Sequence, residues 1–357
     1  MKNIEEILSG VKTMGIAGHV RPDGDAVGST MALYLYVCQY HPEIQADIYL
    51  DHPRNVFGHI PRIEDVKMPL SEPDMVYDLF VTCDVSSTDR IGIGAGMFAR
   101  AGRTVCIDHH VSNMGFADIN HVEGNVSSCS EVLYGLMDPD KVGFPIATAL
   151  YTGMIHDTGV FQFPAVTPKT LRVAANLLEA GVDFAHIIEH SFNSRTYIQN
   201  QVMGRVLAES IMLMEGKCIV GYMRRKDMEF YGVNGQELDG IVNQLRNTIG
   251  VEAAMFLYET SLQNYKVSLR SAGKVDVSKV ACFFGGGGHK AAAGLELAGS
   301  LHDVINNVAA QIALQLGQQD PKKETDSVSG SESAETERRS SENNASTYNT
   351  SLSKEEV

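Results

Sequence analysis

The sequence lacks any uninterrupted apolar run approaching the ~18 residues that a membrane-crossing helix needs, so no span is expected. Its first ten residues, MKNIEEILSG, hold two acids where an export signal has a basic stretch followed by an apolar one. A cytoplasmic location is therefore expected. Cysteine is sparse. The six residues, at positions 38, 83, 106, 129, 218 and 282, include no CxxC pair, which argues for reduced thiols over a disulfide frame or a thiolate zinc site. Basic residues are short as well: 29 Lys and Arg face 44 Asp and Glu, a formal charge of −15 whose field repels long polyanions.

What is present is ordinary for a soluble globular chain. With 357 residues, 44% hydrophobic and 20% charged, it has room for two domains that each bury a core. Part of the acidity is local. Residues 318–357, rich in Ser, Glu, Thr and Asn, read as a disordered tail whose nine acids and five bases hold −4 of the −15. The body keeps −11.

Residues 1–190 alternate short β-rich runs with helical patterns, the signature of an α/β domain with a parallel sheet. Strands are expected over 13–19, 46–50, 78–84 and 103–108, and helices over 26–40, 128–137 and 145–156. A helical connector is expected within 191–216, its helix covering 194–214, followed by a smaller α/β domain over 217–317. No internal repeat is evident.

Four segments place acids and histidines just after expected strands or at a helix terminus: GHVRPDGDAVGS (18–29), VTCDVSSTDRIG (81–92), CIDHHVSN (106–113) and MIHDTGVFQF (154–163). The carboxyl ends of strands in an open α/β sheet share one crevice, so His19, Asp23, Asp25, Asp84, Asp108, His109, His110 and Asp157 can converge there. So many carboxylates repel one another unless cations neutralise them. Imidazole and carboxylate donors without thiolate suit Mn²⁺ best, with Mg²⁺, Co²⁺ or Fe²⁺ also accommodated. Six ligands are too many for one open ion. They suit two, about 3.5 to 4 Å apart with a bridging carboxylate, the arrangement that activates water for in-line displacement at phosphorus. Taken singly, Asp84 or Asp157 is equally an ordinary turn or cap residue, and Asp108-His109-His110 a buried hydrogen-bonded cluster.

At these residues the chain resembles the DHH phosphoesterase superfamily, named for the triplet that is Asp108-His109-His110 here. The run GGGGHKAAAG (285–294) resembles the signature of the associated C-terminal substrate-binding domain. The resemblance covers roughly residues 10–315, and its length points to the bacterial oligoribonuclease group, called nanoRNase, which also dephosphorylates 3′-phosphoadenosine 5′-phosphate. It implies that His19 and Asp23 hold one metal, that Asp25, His109 and Asp157 hold the other, and that Asp84 bridges them. His110 then faces the scissile phosphate, as a proton donor or an orienter of water, with Asp108 fixing an imidazole tautomer and Asn113 a phosphate contact. In the second domain Gly286, Gly287, Gly288 and His289 resemble the family's anion site, with the alanines after them opening a helix. Arg270 is the candidate grip for a terminal phosphate, or equally a solvated surface arginine.

The expected substrates are dinucleotides to pentanucleotides of RNA and mononucleotide bisphosphates, with no long duplex and no membrane as partner and a homodimer allowed. Competing readings are hydrolysis of cyclic di-adenylate or pApA, a RecJ-like single-strand exonuclease, a manganese pyrophosphatase and a catalytically silent nucleotide sensor. Two dications reduce the body's −11 to about −7, still unsuited to tracking a long polyanion yet compatible with holding a short one at local cationic points.

Overall fold

The computed structural model describes residues 2–53, 55–68, 74–235 and 237–317. The expected tail, 318–357, lies outside them. The chain divides into two compact units, Met1–Arg195 and Thr196–Val357.

The first unit runs α1 (Glu5–Leu8), β1 (Thr13–Ala17), α2 (Gly24–Tyr40), β2 (Gln45–Tyr49), β3 (Leu79–Cys83), α3 (Ala95–Arg100), β4 (Thr104–Asp108) and β5 (Ile119–Val122). It continues through α4 (Cys129–Leu136), α5 (Phe144–Thr158), α6 (Pro168–Glu179) and α7 (Phe184–Ile187). Its five strands pair in parallel in the order β2-β1-β3-β4-β5. Strands buried on both faces must be apolar throughout, and β3, LFVTC, is buried at every position. One face packs on α2, α4 and α5 through residues such as Met31, Leu133 and Leu150, and the other on α3 with Tyr77, Phe80, Met97 and Phe98. Each side chain of that size taken out of water stabilises the unit by about 1.5–3 kcal/mol.

Helices α2 and α5 approach unusually closely because Gly28 lacks a side chain: a Cβ there would lie 2.5 Å from the Ala149 carbonyl oxygen. The α5 helix begins with Pro145 in its first turn and ends at Gly159 in the left-handed region, the residue types that start and stop helices. These two helices deliver Asp25 and Asp157. The expected strands and helices of this unit occur with ends shifted by one or two residues, so His19 and Asp84 lie in the loops just beyond β1 and β3. The edge strand β5, whose residues are only half-buried, carries too little apolar alternation for the sequence to reveal it.

The second unit comprises α8 (Tyr197–Ala208), β6 (Ile211–Leu213), β7 (Cys218–Met223), α9 (Arg225–Tyr231), α10 (Ile241–Arg246), β8 (Ala253–Ser261), β9 (Asn264–Ser271), α11 (Val277–Phe283), β10 (Gly287–His289), β11 (Ala292–Ala298) and α12 (Leu301–Gly317). Its six strands lie in the order β10-β11-β9-β8-β7-β6, with β7 and β8 parallel and the other neighbours antiparallel.

Two expectations change here. The helix expected over 194–214 stops at Ala208, and Ile211–Leu213 is instead a strand on β7. Three apolar residues have no readable period, and pairing decides their state. The glycine-rich run does not open a helix. It folds into the hairpin β10–β11, because Gly288 adopts φ 143°, a backbone closed to alanine, and because β11 completes a seven-residue ladder with β9. No helix among the described residues is long and apolar enough to cross a membrane.

Candidate metal centre

In a parallel sheet with strand order 2-1-3-4-5, the chain leaves β1 and β3 in opposite directions, which opens a crevice at their carboxyl ends. His19 follows β1, Asp84 follows β3, and the Asp108-His109-His110 triplet closes β4. The four segments singled out in the sequence meet in this crevice.

Asp23 caps α2: its Oδ1 accepts from the amides of Asp25 at 3.0 Å and Ala26 at 3.1 Å. Its Oδ2 faces His19 Nε2 at 3.6 Å. One carboxylate thus serves a helix terminus and the crevice together. Asp25 is fully buried in the first turn of α2, where it meets the N-terminus of α4. Its Oδ2 accepts from the Cys129 amide at 2.6 Å, and its Oδ1 from the Ser130 amide at 3.0 Å and hydroxyl at 2.6 Å. Unpaired amides at a helix start favour a carboxylate. These α4 partners were not singled out in the sequence, although the Ser127-Ser128 run before an apolar helix marks the helix start.

The imidazoles are aimed from behind. His19 Nδ1 lies 2.8 Å from the Val20 carbonyl and His109 Nδ1 3.3 Å from that of Val126. A ring that donates through Nδ1 offers Nε2 as its ligand atom. His109 Nε2 stands 3.1 Å from Asp157 Oδ2 and 3.5 Å from Asp84 Oδ1, while His19 Nε2 stands 3.6 Å from Asp84 Oδ2.

Asp84 lies at the middle of this arrangement, at φ 59°, its amide donating to the Ile107 carbonyl at 3.0 Å. It is buried, yet its Oδ1 has no hydrogen-bond partner among the described residues. A buried carboxylate oxygen with no hydrogen bond, only the His109 and His110 rings at 3.5 Å, is a natural ligand for a cation. Three sets of donors have one ligand atom per residue within 4.8 Å of one another: His19, Asp23 and Asp84; Asp25, His109 and Asp157; and Asp84, His109 and His110. The residues therefore fit divalent metal.

The charges respond to one another. Burial favours the neutral ring of His19, but the Asp23 hydrogen bond and the charges of Asp23 and Asp84 outweigh it and hold the ring at about 9. His109 is held at about 11 in the same way, burial being overcome by Asp84 and Asp157. Burial and then the Asp84 charge push Asp25 up to about 7, and burial with the Asp25 charge lifts Asp157 well above the carboxylate range. Such mutual strain is relieved when dications replace the protons.

His110 differs from the other two rings. Its Nδ1 contacts Asp108 Oδ1 at 2.7 Å, and burial of the ring is offset by that bond, which raises its pKa. Asp108 is fully buried and takes a second bond, at 2.7 Å, from Asn113 Nδ2. Asn113 Nδ2 also donates to the Val85 carbonyl at 3.0 Å, and Asn113 Oδ1 accepts from the Gly115 amide at 2.8 Å. Here the Asn113 amide is engaged behind Asp108.

In the second unit, strand register sets His289 opposite Ala292, Ala292 opposite Arg270 and Arg270 opposite Ala254. Residues directly opposed in antiparallel strands project from the same face, so His289 and Arg270 flank a floor of small residues that also includes Gly294 and Gly287. Arg270 Nε donates to Asn243 Oδ1 at 2.9 Å and Nη1 to the Leu269 carbonyl at 3.0 Å. It is therefore a fixed, partly buried guanidinium, whose charged form burial disfavours, and not a freely solvated arginine. Gly286 is required by packing on β11, since a Cβ there would meet Leu295 Cβ at 2.6 Å.

Residues 13–154 match the DHH family, N-terminal domain, and residues 215–315 match the DHHA1 domain. The chain is 31% identical over 303 residues to the bifunctional oligoribonuclease and PAP phosphatase NrnA of Thermus thermophilus, covering 84% of this chain and 89% of that protein. To the protein of the same name from Bacillus subtilis it is 26% identical over 285 residues, covering 78% and 87%. Its fold is similar to that of an exopolyphosphatase-related protein from Bacteroides fragilis, with a TM-score of 0.79 at 24% identity and coverage of 87% of this chain and 96% of that one. Identity sustained along both chains, together with the convergence of acids and histidines around Asp108-His109-His110, identifies a phosphoesterase: the chain belongs to the DHH family, with a DHH domain followed by a DHHA1 domain.

Proposed function

We propose that the chain is a divalent-metal-dependent phosphodiesterase that hydrolyses short oligoribonucleotides to mononucleotides and converts 3′-phosphoadenosine 5′-phosphate to AMP. The observation that carries the metal dependence is the buried Asp84 carboxylate, without a hydrogen bond at Oδ1 and shared between donor sets on either side. His19 and Asp23 would hold one cation and Asp25, His109 and Asp157 a second, with Asp84 within reach of both. Two Mn²⁺ ions match donors that mix imidazole with carboxylate, and Mg²⁺, Co²⁺ or Fe²⁺ fit the same set. When bound, the cations supply Lewis-acid charge at the phosphoryl oxygens and acidify water.

The remaining steps belong to side chains. Asp108, itself held by Asn113, fixes His110 and favours its charged form, so that the ring donates a proton to a phosphoryl or leaving oxygen. In the DHHA1 domain, Arg270, His289 and the amides of Gly286, Gly287 and Gly288 offer an anion site for a terminal phosphate, Arg270 being pre-positioned by Asn243. Ligands of that kind select a short substrate with a terminal phosphate. The choice of short RNA and the bisphosphate is supported by the names of the relatives from Thermus thermophilus and Bacillus subtilis.

The test is side-by-side turnover with Mn²⁺ of pApA, a pentanucleotide RNA, an RNA of two dozen nucleotides, 3′-phosphoadenosine 5′-phosphate and cyclic di-adenylate. The short RNAs and the bisphosphate are expected to turn over fastest. Preference for the long RNA or the cyclic compound overturns the reading.

A further inference from the structure

We infer that Arg90 binds a nonbridging oxygen of the substrate phosphate at the metal centre. This inference rests on the functional reading above. Arg90 closes the short 3₁₀ turn Thr88–Arg90 that follows Asp84. Its backbone is tied at both ends: its amide donates to the Ser87 carbonyl at 3.1 Å, and its carbonyl accepts from the Val20 amide at 2.7 Å. The loop after β3 is thereby stitched to the loop that carries His19. The guanidinium, exposed to solvent, lies with Nη2 3.3 Å from His19 Nδ1.

That contact cannot be a lasting bond in a metal-loaded site. A guanidinium only donates, so Nδ1 would have to accept. Yet His19 Nδ1 lies closer to the Val20 carbonyl, at 2.8 Å, which requires Nδ1 to donate. Offering Nε2 to a cation settles the conflict, because the neutral ring then carries its proton on Nδ1. Arg90 Nη2 consequently faces another donor, and its exposed fork is left open to water or to an incoming anion. No carboxylate among the described residues lies within 4.0 Å of its guanidinium, although the crevice beside it is rich in them.

The electrostatics favour an anion over water at that fork. The four ligand carboxylates Asp23, Asp25, Asp84 and Asp157 cancel two dications, so the loaded ligand set has no net attraction for an anion. A fixed positive charge at its rim restores that attraction. Arg90 forks toward a phosphate oxygen beside the cation held by His19 and Asp23, and it stabilises the charge that grows on the equatorial oxygens during displacement. It thus supplies a cationic anion contact from the DHH domain, beside His110 and apart from Arg270 and His289 of the second domain. Arginine sits in plain view within VTCDVSSTDRIG, but only the fold places it against His19.

The experiment compares wild type, Arg90→Ala and Arg90→Lys on a pentanucleotide RNA and on bis(p-nitrophenyl) phosphate, a plain phosphodiester, with Mn²⁺ affinity measured by calorimetry. For Arg90→Ala, kcat/KM is expected to fall about 100-fold on both substrates. Mn²⁺ affinity is expected to stay unchanged, added guanidinium to restore part of the rate, and Arg90→Lys to fall between. Arg90→Ala with wild-type kcat/KM, or with a loss that parallels weakened Mn²⁺ binding and resists guanidinium, overturns the assignment. Wild type that cleaves the nitrophenyl ester but neither short RNA nor the bisphosphate overturns the substrate reading alone, and the Arg90 comparison then stands on the ester.

Discussion

Asp84 Oδ1 lies 3.5 Å from His109 Nε2, buried and without a hydrogen bond, while Asp84 Oδ2 lies 3.6 Å from His19 Nε2 on the opposite side. A carboxylate that faces two imidazoles whose other nitrogens lie against carbonyls is the proposed link between two cation sites. Asp84→Ala is therefore expected to lower hydrolysis by at least about 10³-fold at saturating Mn²⁺, several kcal/mol of lost charge stabilisation. Unfolding should remain cooperative. Steady-state rates and thermal denaturation check both, and retained activity would remove Asp84 from the centre.

The pH dependence of stability has a definite sign. His19 at about 9 and His109 at about 11 bind protons more tightly than in the unfolded chain, where histidine titrates near ~6.5. Their contribution is complete below ~6.5 and is lost as pH rises toward 9 and then 11. Asp25, raised to about 7, also costs stability as pH climbs from the ordinary carboxylate range to 7. All three trends agree, so chelator-treated protein should melt at a lower temperature at pH 8.5 than at pH 6. Mn²⁺ replaces those protons, and its stabilising effect should grow over the same interval. Melting curves with and without Mn²⁺ across this range test the sign.

Asn113 acts through Asp108. Its loss in Asn113→Ala leaves the metal ligands intact but loosens the carboxylate that holds His110. The expected result is a kcat lowered about 10- to 100-fold with KM and Mn²⁺ affinity unchanged. A raised KM with an unchanged kcat would instead restore the direct phosphate contact expected from sequence.

Arg270 should show the opposite split. Arg270→Ala removes the proposed grip on the distal phosphate, so KM for short oligonucleotides should rise with a smaller change in kcat. It also strips Asn243 Oδ1 of its donor, a loss of about 1–3 kcal/mol if that oxygen stays buried. Kinetics on a pentanucleotide and on bis(p-nitrophenyl) phosphate separate the effects, since the ester has no distal phosphate to lose.

Much of the site was legible because its chemistry is written in short runs. Asp23, Asp25, Asp84, His109 and Asp157 each follow a strand or open or close a helix, and apolar periodicity locates those elements without tertiary information. The second unit was less legible. Alanine after GGGGH favours a helix by local propensity, and only the ladder with β9 turns the run into a hairpin. The partners of Asn113, Val85 and Asp108, are likewise revealed only by packing.

The sequence by itself determined the inventory: a parallel α/β domain, thiolate-free donors in four segments, and a glycine-rich run in a second domain. Residue type and local period suffice for that, because side-chain chemistry and helix or strand preference act within a few residues. Only the tertiary structure decided the pairings. Asp25 is held by amides 104 and 105 residues away, Arg90 reaches a ring 71 residues distant, and His289 shares a row with Arg270 through strand register. Such contacts depend on how strands order and helices close over them, which no local pattern encodes.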